Sequence, residues 1–311
     1  MTSLRIAMIG LGDIAQKAYL PILAADASVT PVLCTRNQAT LAQLTKKYRI
    51  NEHYSDINQL IASQPDAVMV HTSTASHFSI AKQLLNAGIA TFVDKPISYD
   101  INECEQLIAL ARASNTPLYL GFNRRFAPKI AQLASAPISH LRWQKNRVNL
   151  PDKPDALIFN DFIHVVDGLC FLAGKDIEQL KNLQVFGQFT EQYSKQLLAN
   201  IRFSFECGQR VFEGSMNRLS GTTEEIIEAF GHNEKYVIEG LTTGQYYKNG
   251  EVSPIGFSDW DSYLYSRGFV DMMDDWLKVI QQGHSNEHQL KQIETSHQLC
   301  QQIIEKLPIA G

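Results

Sequence analysis

A glycine-rich turn near the start of the chain lies between an apolar stretch and an amphipathic one. Leu4 to Ile9 has the composition of a buried strand, Gly10-Leu11-Gly12-Asp13-Ile14-Ala15 follows it, and Gln16 to Ala25 has helical periodicity. Gly10 permits a turn that a Cβ would obstruct, Gly12 lets the backbone approach a pyrophosphate, and Ala15 lets the helix pack closely on the strand. The phosphates would then lie at the positive N-terminal end of the helix. This pattern predicts a dinucleotide-binding Rossmann domain.

Strands and helices alternate from this turn to residue 122. Later predicted strands are Val29 to Cys34, Ala67 to His71, Ala90 to Val93 and Pro117 to Phe122, and predicted helices are Gln38 to Tyr48, Ser76 to Ala87 and Asn102 to Ala113. Such alternation implies right-handed crossovers and a parallel, doubly wound sheet that binds ligands at the carboxyl ends of its strands. We therefore predict an α/β fold whose N-terminal Rossmann domain spans residues 1–122.

The pattern changes in the second half of the chain. A helical segment is predicted around Asp155 to Ala173, and apolar residues then recur with period two, most clearly over Ala199 to Cys207. Further predicted strands are Leu141 to Val148, Val211 to Arg218, Thr223 to Phe230, Lys235 to Leu241 and Gln245 to Lys248. Asn249-Gly250 is a strong turn signal, and two amphipathic helices close the chain. These elements predict a second α/β domain over residues 123–311.

Composition excludes several classes of protein. The chain has 311 residues, enough for two domains, and its net charge of −4 without a basic block argues against nucleic acid as a partner. Its apolar runs are short for a membrane span and its start lacks a signal-type pattern, so we expect a cytoplasmic protein without membrane partners. Five widely spaced cysteines without a CxxC pair predict buried or half-buried thiols, with neither a disulfide framework nor a metal site.

The residues after the second strand bear on the choice of cofactor. An NAD site usually has Asp or Glu about twenty residues beyond the glycines to hold the ribose hydroxyls, whereas this chain has Thr35-Arg36. A guanidinium binds a 2′-phosphate bidentately, and the hydroxyl of Thr35 can add a hydrogen bond. NADP is therefore favoured, with NAD possible. The alternative for Arg36 is an exposed residue that opens the next helix.

Four motifs, taken in order, resemble those of the Gfo/Idh/MocA oxidoreductases. Their residues are most similar to those of the MviM-like branch. They are Gly10-Leu11-Gly12-Asp13-Ile14-Ala15, Thr72-Ser73-Thr74-Ala75-Ser76-His77, Asp94-Lys95-Pro96 and Gly121-Phe122-Asn123-Arg124-Arg125-Phe126. The resemblance implies a Rossmann domain joined to an α/β domain with a large, mostly antiparallel sheet. It also implies NAD(P)-dependent hydride transfer in the cleft between them, on a hydroxyl of a sugar or cyclitol.

Lys95 is the first candidate for a catalytic residue. It follows a strand at the ligand end of the predicted sheet, and Pro96 restrains the backbone after it. The resemblance places Lys95 in the catalytic set through the family's Glu-Lys-Pro pattern, in which Asp94 is a shortened version of the usual Glu. A buried lysine near a bound nicotinamide can have a lowered pKa that suits proton transfer. The alternative is a surface lysine in a turn.

His164 is the second catalytic candidate, within Asn160-Asp161-Phe162-Ile163-His164. The family pattern is Asp-x-x-x-His, which puts a carboxylate and an imidazole on one helical face at i and i+4. This chain has Asn160 at the first position, which cannot take a proton, although Asp161 and Asp167 are near enough in sequence to substitute. The predicted catalytic residues are therefore Lys95, His164, Asn160 and Asp161. The alternative for His164 is a structural histidine whose ring nitrogens are hydrogen-bonded within the protein.

The remaining predicted site residues follow from the motifs and the strand ends. Those expected to bind the cofactor are Gly10, Gly12, Asp13, Ile14, Thr35, Arg36, Thr72, Ser73, Thr74, His77, Asp94, Lys95 and Asn123. Those expected to bind an anionic or polyhydroxylated substrate are Arg124, Lys145 and Asp167, with Arg125 and Arg147 as further candidates. Solvated surface charge is the alternative for these basic residues.

We therefore predict an NADP-dependent oxidoreductase that transfers hydride to or from a sugar, sugar derivative or cyclitol. In this hypothesis His164, helped by Lys95, removes the hydroxyl proton. One alternative, favoured by Asn160, is a regulator or sensor that keeps the dinucleotide site but has lost catalysis. Another is a hydrolase or lyase that regenerates its cofactor in each cycle. The antiparallel sheet and the family resemblance also lead us to expect a homo-oligomer.

Overall fold

The computed structural model describes residues 3–192 and 195–308, and the chain forms two compact units. The first unit ends at Gly121 and includes Phe269–Leu290, and the second comprises Phe122–Gly268 and the chain after Leu290. This division differs from a single cut after residue 122 because Phe269–Leu290 packs with the first unit. There the ring of Trp276 lies 5.4 Å from that of Tyr119 and 5.9 Å from that of Phe92, centroid to centroid.

The first unit contains a parallel sheet flanked by helices. Its strands are β1 (Leu4–Ile9), β2 (Val29–Cys34), β3 (His53–Tyr54), β4 (Ala67–Val70), β5 (Ala90–Val93) and β6 (Leu118–Leu120), and its helices include α1 (Leu20–Ala25), α2 (Gln38–Tyr48), α3 (Ile57–Ala62), α4 (Thr74–Asn86) and α5 (Ile101–Ser114). The strand order is β3-β2-β1-β4-β5-β6, and every neighbouring pair is parallel. This is the order of a Rossmann fold, so the predicted fold of the N-terminal half is confirmed.

Short polar side chains set where several of these helices begin. Asn37 accepts a hydrogen bond from the backbone N–H of Thr40 at the start of α2, Asp56 caps α3, and Asp100 caps α5. The first helix differs from the prediction, because a π-helical turn, Ala15–Tyr19, precedes α1. Strand β3 and helix α3 were not predicted, since each is too short to show clear periodicity.

The second unit contains a mixed sheet. Its strands are β7 (Ile138–Asn146), β8 (Lys181–Gln192), β9 (Lys195–Cys207), β10 (Arg210–Asn217), β11 (Glu224–Gly231), β12 (Glu234–Glu239), β13 (Thr243–Lys248) and β14 (Glu251–Ile255). They lie in the order β14-β13-β12-β11-β7-β10-β9-β8, and only the β7–β10 pair is parallel. The expected large, mostly antiparallel sheet is confirmed. The predicted turn at Asn249-Gly250 joins β13 to β14, and both residues have positive φ.

Helices cover one face of this sheet. They include α6 (Pro128–Ala134), α7 (Pro154–Leu157), α8 (Ile163–Ala173) and α9 (Tyr263–Ser266), and α10 (Phe269–Gln282) and α11 (Glu287–Glu305) close the chain. Helix α8 packs on β7 and β10 so closely that a Cβ at Gly168 would overlap the ring of Trp143. A π-helical turn, Ile158–Phe162, joins α7 to α8, where the sequence predicted one regular helix.

The segment Pro154–Ala173 is apolar enough to resemble a membrane span. Its mean hydropathy reaches 1.6, and it is the one helix among the described residues with the length and composition to cross a bilayer. However, 78% of that apolar stretch is buried inside the protein. Packing in the core therefore accounts for its composition.

Candidate functional site

The glycine-rich turn has the geometry that dinucleotide binding requires. Gly10 has φ of +85°, and a Cβ there would lie 2.7 Å from the backbone of His71, so only glycine fits without strain. By contrast, a Cβ on Gly12 would meet nothing within 4 Å, which leaves open space beside the backbone. Asp13 and Ile14 are exposed at the start of the following helix. This geometry leaves room for a nucleotide pyrophosphate, and binding of a pyrophosphate by these residues stays a prediction.

Thr35 and Arg36 lie directly after β2, as the prediction for the adenosine end of a cofactor requires. The hydroxyl of Thr35 accepts a hydrogen bond from the N–H of Asn37 at 3.3 Å, and Arg36 is exposed. The guanidinium of Arg36 is therefore accessible to a phosphate group. Its position suits binding of a 2′-phosphate, and the choice between NADP and NAD stays a prediction.

The loop after β4 is rich in hydroxyl groups and leads into α4. Ser76 donates to the hydroxyl of Thr72 and to the carbonyl of Ser73, both at 2.8 Å, which fixes the first turn of the helix that begins at Thr74. Ser73 is exposed and Thr72 is half-buried. Thr72, Ser73 and Thr74 thus lie at the carboxyl end of the sheet, where a cofactor would bind.

His77 links this loop to the next one. Its Nδ1 lies 2.8 Å from the carbonyl oxygen of Pro96 and its Nε2 lies 3.0 Å from that of Thr72, and the residue is only 2% exposed. Burial lowers the pKa of His77, while the two carbonyl contacts and the charge of Asp94 oppose that effect. Both ring nitrogens are occupied by backbone contacts, so His77 holds two loops together rather than presenting its ring to a ligand.

Asp94 and Lys95 lie at the end of β5. The N–H of Lys95 donates to Asp94 Oδ1 at 2.8 Å, Lys95 is half-buried, and the peptide bond to Pro96 is cis. Burial alone would raise the pKa of Asp94, but His71, whose Nδ1 lies 3.7 Å from Asp94 Oδ2, and Lys95 hold that pKa below its usual value. Asp94 is therefore ionised, and the sequence analysis missed His71 as its neighbour.

His164 lies in the first turn of α8 and is 8% exposed. Asn160, which is exposed, lies in the π-helical turn before it. A π turn holds more residues than an α-helical one, so the i and i+4 relationship assumed for Asn160 and His164 does not carry across this turn. The structure thus places the two candidate residues in consecutive elements of the second unit.

Asp161 is held by three basic side chains of the second unit. Arg147 Nε and Arg218 Nη1 donate to Asp161 Oδ2 at 2.9 and 2.7 Å, and Lys145 contacts Oδ1. Burial opposes ionisation of Asp161, but Lys145 and Arg147 hold its pKa well below the usual range. Asp161 is therefore a permanently charged anchor for the turn that precedes His164.

Two further buried ion pairs lie beside this anchor. Arg124 donates to both carboxylate oxygens of Glu225, at 2.7 and 2.9 Å. Burial would raise the pKa of Glu225, yet Arg124 lowers it to about 2. Arg125 pairs with Asp167, which is 1% exposed and also accepts from Ser296 at 2.8 Å.

The contacts of Asp167 and Asn123 bear on their predicted roles. Burial raises the pKa of Asp167 against the opposing effect of Arg125, and its carboxylate is enclosed by protein groups. Asn123 is 4% exposed, and its amide donates to the carbonyl of Arg267 at 2.8 Å. Both side chains therefore have structural partners within the second unit, and the structure shows no ligand surface on Asp167.

Arg218, Glu225 and Arg267 were missed by the sequence analysis. The signal for Glu225 was present, because it alternates with the buried residues Ile227 and Ala229 and lies opposite Lys145 in the register of β11 and β7. A charged residue on the apolar face of a strand indicates a buried partner. Arg218 and Arg267 lie just outside regular elements, where periodicity carries no information.

Cysteine and metal chemistry have no candidate site among the described residues. All five cysteines are buried and free, which confirms the prediction of buried thiols. Burial raises the pKa of Cys34 to about 11, so its reactive thiolate form is disfavoured. In residues 3–192 and 195–308, no group of three or more His, Cys, Asp or Glu side chains could hold a metal ion.

Comparison with known proteins places this arrangement in a family. Residues 4–122 match the family model described as an oxidoreductase family with an NAD-binding Rossmann fold, and residues 128–249 match a YceM-like C-terminal domain. YceM of Salmonella typhimurium is 31% identical over 90% of this chain and 91% of its own length.

Two solved structures are similar over nearly the whole chain. A Gfo/Idh/MocA family oxidoreductase from Vibrio cholerae is 37% identical, with a TM-score of 0.87 and coverage of 98% of this chain and 99% of its own. The dehydrogenase MviM from Clostridium difficile is 27% identical, with a TM-score of 0.88 and coverage of 97% and 99%.

Less similar relatives carry names that state what they act on. Myo-inositol dehydrogenase Hyg17 from Streptomyces leeuwenhoekii is 28% identical over 40% of this chain and 42% of its own length. UDP-N-acetylglucosamine 3-dehydrogenase from Acidithiobacillus ferrooxidans is 27% identical over 57% of this chain and 56% of its own length.

Proposed function

The chain belongs to the Gfo/Idh/MocA family of oxidoreductases, and on that premise we propose that it is an NADP-dependent dehydrogenase of a sugar, sugar derivative or cyclitol. The observation that carries the proposal is the open backbone at Gly12, at the carboxyl end of a parallel sheet where the loops after β4 and β5 carry Thr72 and Lys95. Relatives named for inositol and for a nucleotide sugar support the substrate class. The exposed guanidinium of Arg36 supports NADP over NAD.

Lys95 and His164 are the proposed acid-base groups. A bound nicotinamide would supply the hydride acceptor, and the protein would supply proton transfer and placement. Lys95 is half-buried and its backbone N–H donates to Asp94, and its ammonium would orient and polarise the substrate hydroxyl. His164 would accept the hydroxyl proton as the carbonyl forms. Asn160 would hydrogen-bond to a polar group nearby, because its amide cannot take a proton.

A two-stage experiment tests this function. Isothermal titration calorimetry of the full chain with NADP⁺ and NAD⁺ measures cofactor affinity, and we expect NADP⁺ to bind at least tenfold more tightly. A panel of sugars, sugar phosphates and cyclitols is then screened for NADPH formation by absorbance. Binding without turnover on any member of a broad panel contradicts the dehydrogenase assignment. Absence of binding to either cofactor contradicts the whole proposal.

A dinucleotide-binding regulator is the second candidate. Asn160 favours it, since the family pattern has a carboxylate at this position and an amide cannot relay a proton. Replacing Asn160 by Asp separates the two functions. In an active dehydrogenase, Asn160→Asp changes the pH profile of an existing rate, whereas in a regulator there is no rate to change.

We also infer that the protein is a homo-oligomer. One face of its eight-stranded sheet carries polar and exposed side chains, including Arg142, Arg202 and Phe186, and Phe186 is 55% exposed. A self-complementary face of this kind suits pairing about a twofold axis. Light scattering after size-exclusion chromatography measures the mass, and a monomer at micromolar concentration contradicts the inference. Replacing Phe186 by Asp should then shift the oligomer toward monomer.

The cytoplasm is the compartment that we infer for this activity. Five buried cysteines remain as free thiols, which suits a reducing environment. Fractionation of the source cells followed by immunoblotting tests the inference, and recovery outside the cytoplasmic fraction contradicts it.

A further inference from the structure

Basic side chains of the second unit outnumber the carboxylates that they contact around Asp161. The residues that form this basic cluster are Arg124, Lys145, Arg147, Arg218 and Arg267, together with Asp161 and Glu225. The side chains of Lys145, Arg124 and Arg218 are only 2%, 9% and 9% exposed. Most of this positive charge therefore has little access to water.

Each of the two carboxylates of the cluster already contacts more than one basic side chain. Asp161 contacts Lys145, Arg147 and Arg218, and Glu225 contacts Arg124 at 2.7 Å and Arg267 at 3.7 Å. Asp152 is a further carboxylate that acts on Arg218. Asp167 likewise acts on Arg124 and is paired with Arg125, so that with these groups included six basic side chains face four acidic ones. Positive charge held away from water is costly unless an anion balances it.

Arg267 shows that the cluster has capacity for another acceptor. Its Nε is buried and meets no hydrogen-bond acceptor among the described residues, while its guanidinium lies 4.9 Å from the centre of the Tyr263 ring. A buried donor without an acceptor costs free energy that a bound ligand would recover. Arginine is also the side chain best suited to bidentate binding of phosphate or carboxylate.

The cluster is continuous with the turn that precedes His164. Lys145 Nζ lies 3.3 Å from the backbone oxygen of Asp161, in the same π-helical turn as Asn160. Burial and the charge of Arg124 lower the pKa of Lys145 to about 7, which is the effect expected of excess positive charge. The positive charge thus lies beside the segment that holds the proposed proton acceptor.

We propose that the substrate is an acidic polyol or sugar, whose phosphate or carboxylate group binds at the basic cluster while its hydroxyl is oxidised. The inference rests on the proposed function, since it places an acidic group on the substrate of that same site. It narrows the substrate class from sugars and cyclitols in general to those that carry negative charge.

Calorimetry with matched pairs of probes tests the proposal. Glucose 6-phosphate is compared with glucose, and gluconate with glucitol, on the full chain with and without saturating NADP⁺ at low ionic strength. At least one acidic probe should bind tenfold or more tightly than its neutral partner, and added salt should reduce the difference. The pair that shows the larger difference identifies phosphate or carboxylate as the acidic group.

Two variants that each remove one positive charge localise the effect. Arg147→Gln changes the basic cluster, whereas Lys175→Gln changes an exposed residue just after α8 that lies outside it. We expect Arg147→Gln to weaken binding of the acidic probe about tenfold and to leave NADP⁺ affinity unchanged. Lys175→Gln should change affinity for the acidic probe less than twofold.

Several results would overturn the proposal. These are equal affinity for both members of both pairs, no binding of either acidic probe at the highest concentration, or equal weakening by the two variants. If NADP⁺ still binds in that case, the proposed oxidoreductase function stands and only the substrate class is wrong. If the unmodified chain does not bind NADP⁺, that result contradicts the proposed function itself.

Discussion

The backbone N–H of Lys95 donates to Oδ1 of Asp94 at 2.8 Å, so the carboxylate fixes the backbone of the loop that carries the ammonium. The other oxygen, Oδ2, lies 3.7 Å from Nδ1 of His71 at the end of the neighbouring strand. A second contact between the two loops is made by His77, whose Nδ1 lies 2.8 Å from the carbonyl oxygen of Pro96. Lys95 therefore extends from a loop that is anchored on both sides, which is what accurate placement of a catalytic group requires.

Replacing Lys95 by Ala should lower kcat by about 10²–10⁴-fold, because the substrate hydroxyl loses its polarising group. Affinity for NADP⁺ should change by less than about threefold, since the backbone of the loop is retained. Steady-state kinetics and calorimetry measure the two effects separately. Lys82→Ala, at an exposed position on α4, is the control and should leave kcat unchanged. Unchanged turnover in Lys95→Ala would exclude Lys95 from the chemistry.

The two glycines of the nucleotide turn should respond differently to alanine. Gly10→Ala should lower the free energy of unfolding by about 1–3 kcal/mol, because φ is +85° and the added Cβ would lie 2.7 Å from the backbone of His71. Gly12→Ala should leave stability within about 0.5 kcal/mol, because its Cβ meets nothing within 4 Å. That Cβ would occupy the space proposed for the pyrophosphate, so NADP⁺ affinity should fall at least tenfold.

Urea unfolding and calorimetry on both variants distinguish a structural glycine from a binding one. Gly12→Ala with full NADP⁺ affinity would contradict the placement of the pyrophosphate beside this backbone.

Arg36→Ala should weaken NADP⁺ binding about tenfold to a hundredfold and change NAD⁺ binding less than threefold, because only NADP⁺ carries the 2′-phosphate. Because Arg36 is exposed, its replacement should change the free energy of unfolding by less than about 0.5 kcal/mol. Calorimetry with both cofactors gives the ratio of affinities. Equal weakening toward both cofactors would show that Arg36 contacts a group that they share.

Glu225→Gln should destabilise the protein by about 3–5 kcal/mol at pH 7, because it leaves Arg124 buried without a charged partner. The pKa of Glu225 is lowered to about 2, so its stabilising effect is complete above the unfolded value of about 4.3 and is lost as the pH falls toward 2. Urea unfolding at pH 7 and at pH 3 measures the destabilisation and its decrease at low pH.

The matched control for this variant is Glu224→Gln, one residue earlier on β11. Its carboxylate is half-buried and accepts a hydrogen bond from Asn146 at 2.7 Å. The amide can keep that hydrogen bond, so the change should be below about 1 kcal/mol. Equal destabilisation by the two variants would contradict a special role for the buried pair.

Most of the first unit could be predicted from its sequence, because its elements are long enough to show their period. Helix α2 begins and ends as predicted, at Gln38 and Tyr48, because Asn37 caps its start. Strand β8 was not predicted, because Phe186 lies on its exposed face and interrupts the alternation of Leu183 and Val185 with polar residues. The π-helical turn at Ile158–Phe162 was not predicted either, because its apolar residues continue the pattern of a regular helix.

The candidate site was predictable only where a motif marked it. Lys95 and the glycines follow strands directly, so their place at the carboxyl edge follows from topology. The partners of the charged residues did not follow, because Arg218 lies far from Asp161 in sequence and comes close to it only through the pairing of β10 with β7 and β9. The contacts of three basic side chains with Asp161 thus depend on how the strands pair, which no local sequence pattern indicates.

Lys145 should make the stability of the protein depend on pH. Its pKa is lowered to about 7 in the folded protein and is about 10.4 in the unfolded chain, so between these values the unfolded chain binds more protons. The free energy of unfolding of the unmodified protein should therefore rise with pH relative to that of Lys145→Met. The difference should grow by up to about 1.4 kcal/mol per pH unit between pH 7 and pH 9, and stay constant below pH 6.

Urea unfolding of the two proteins at several pH values measures this slope. Lys235→Met is the control, because the side chain of Lys235 is 36% exposed and pairs with Glu228 at the surface. Its replacement should change the free energy of unfolding by less than about 1 kcal/mol, because exposed ion pairs contribute little to stability. If the difference in free energy of unfolding between the unmodified protein and Lys145→Met does not change with pH, the pKa of Lys145 is not lowered in the folded protein. In that case the positive charge around Asp161 would already be balanced without a bound anion.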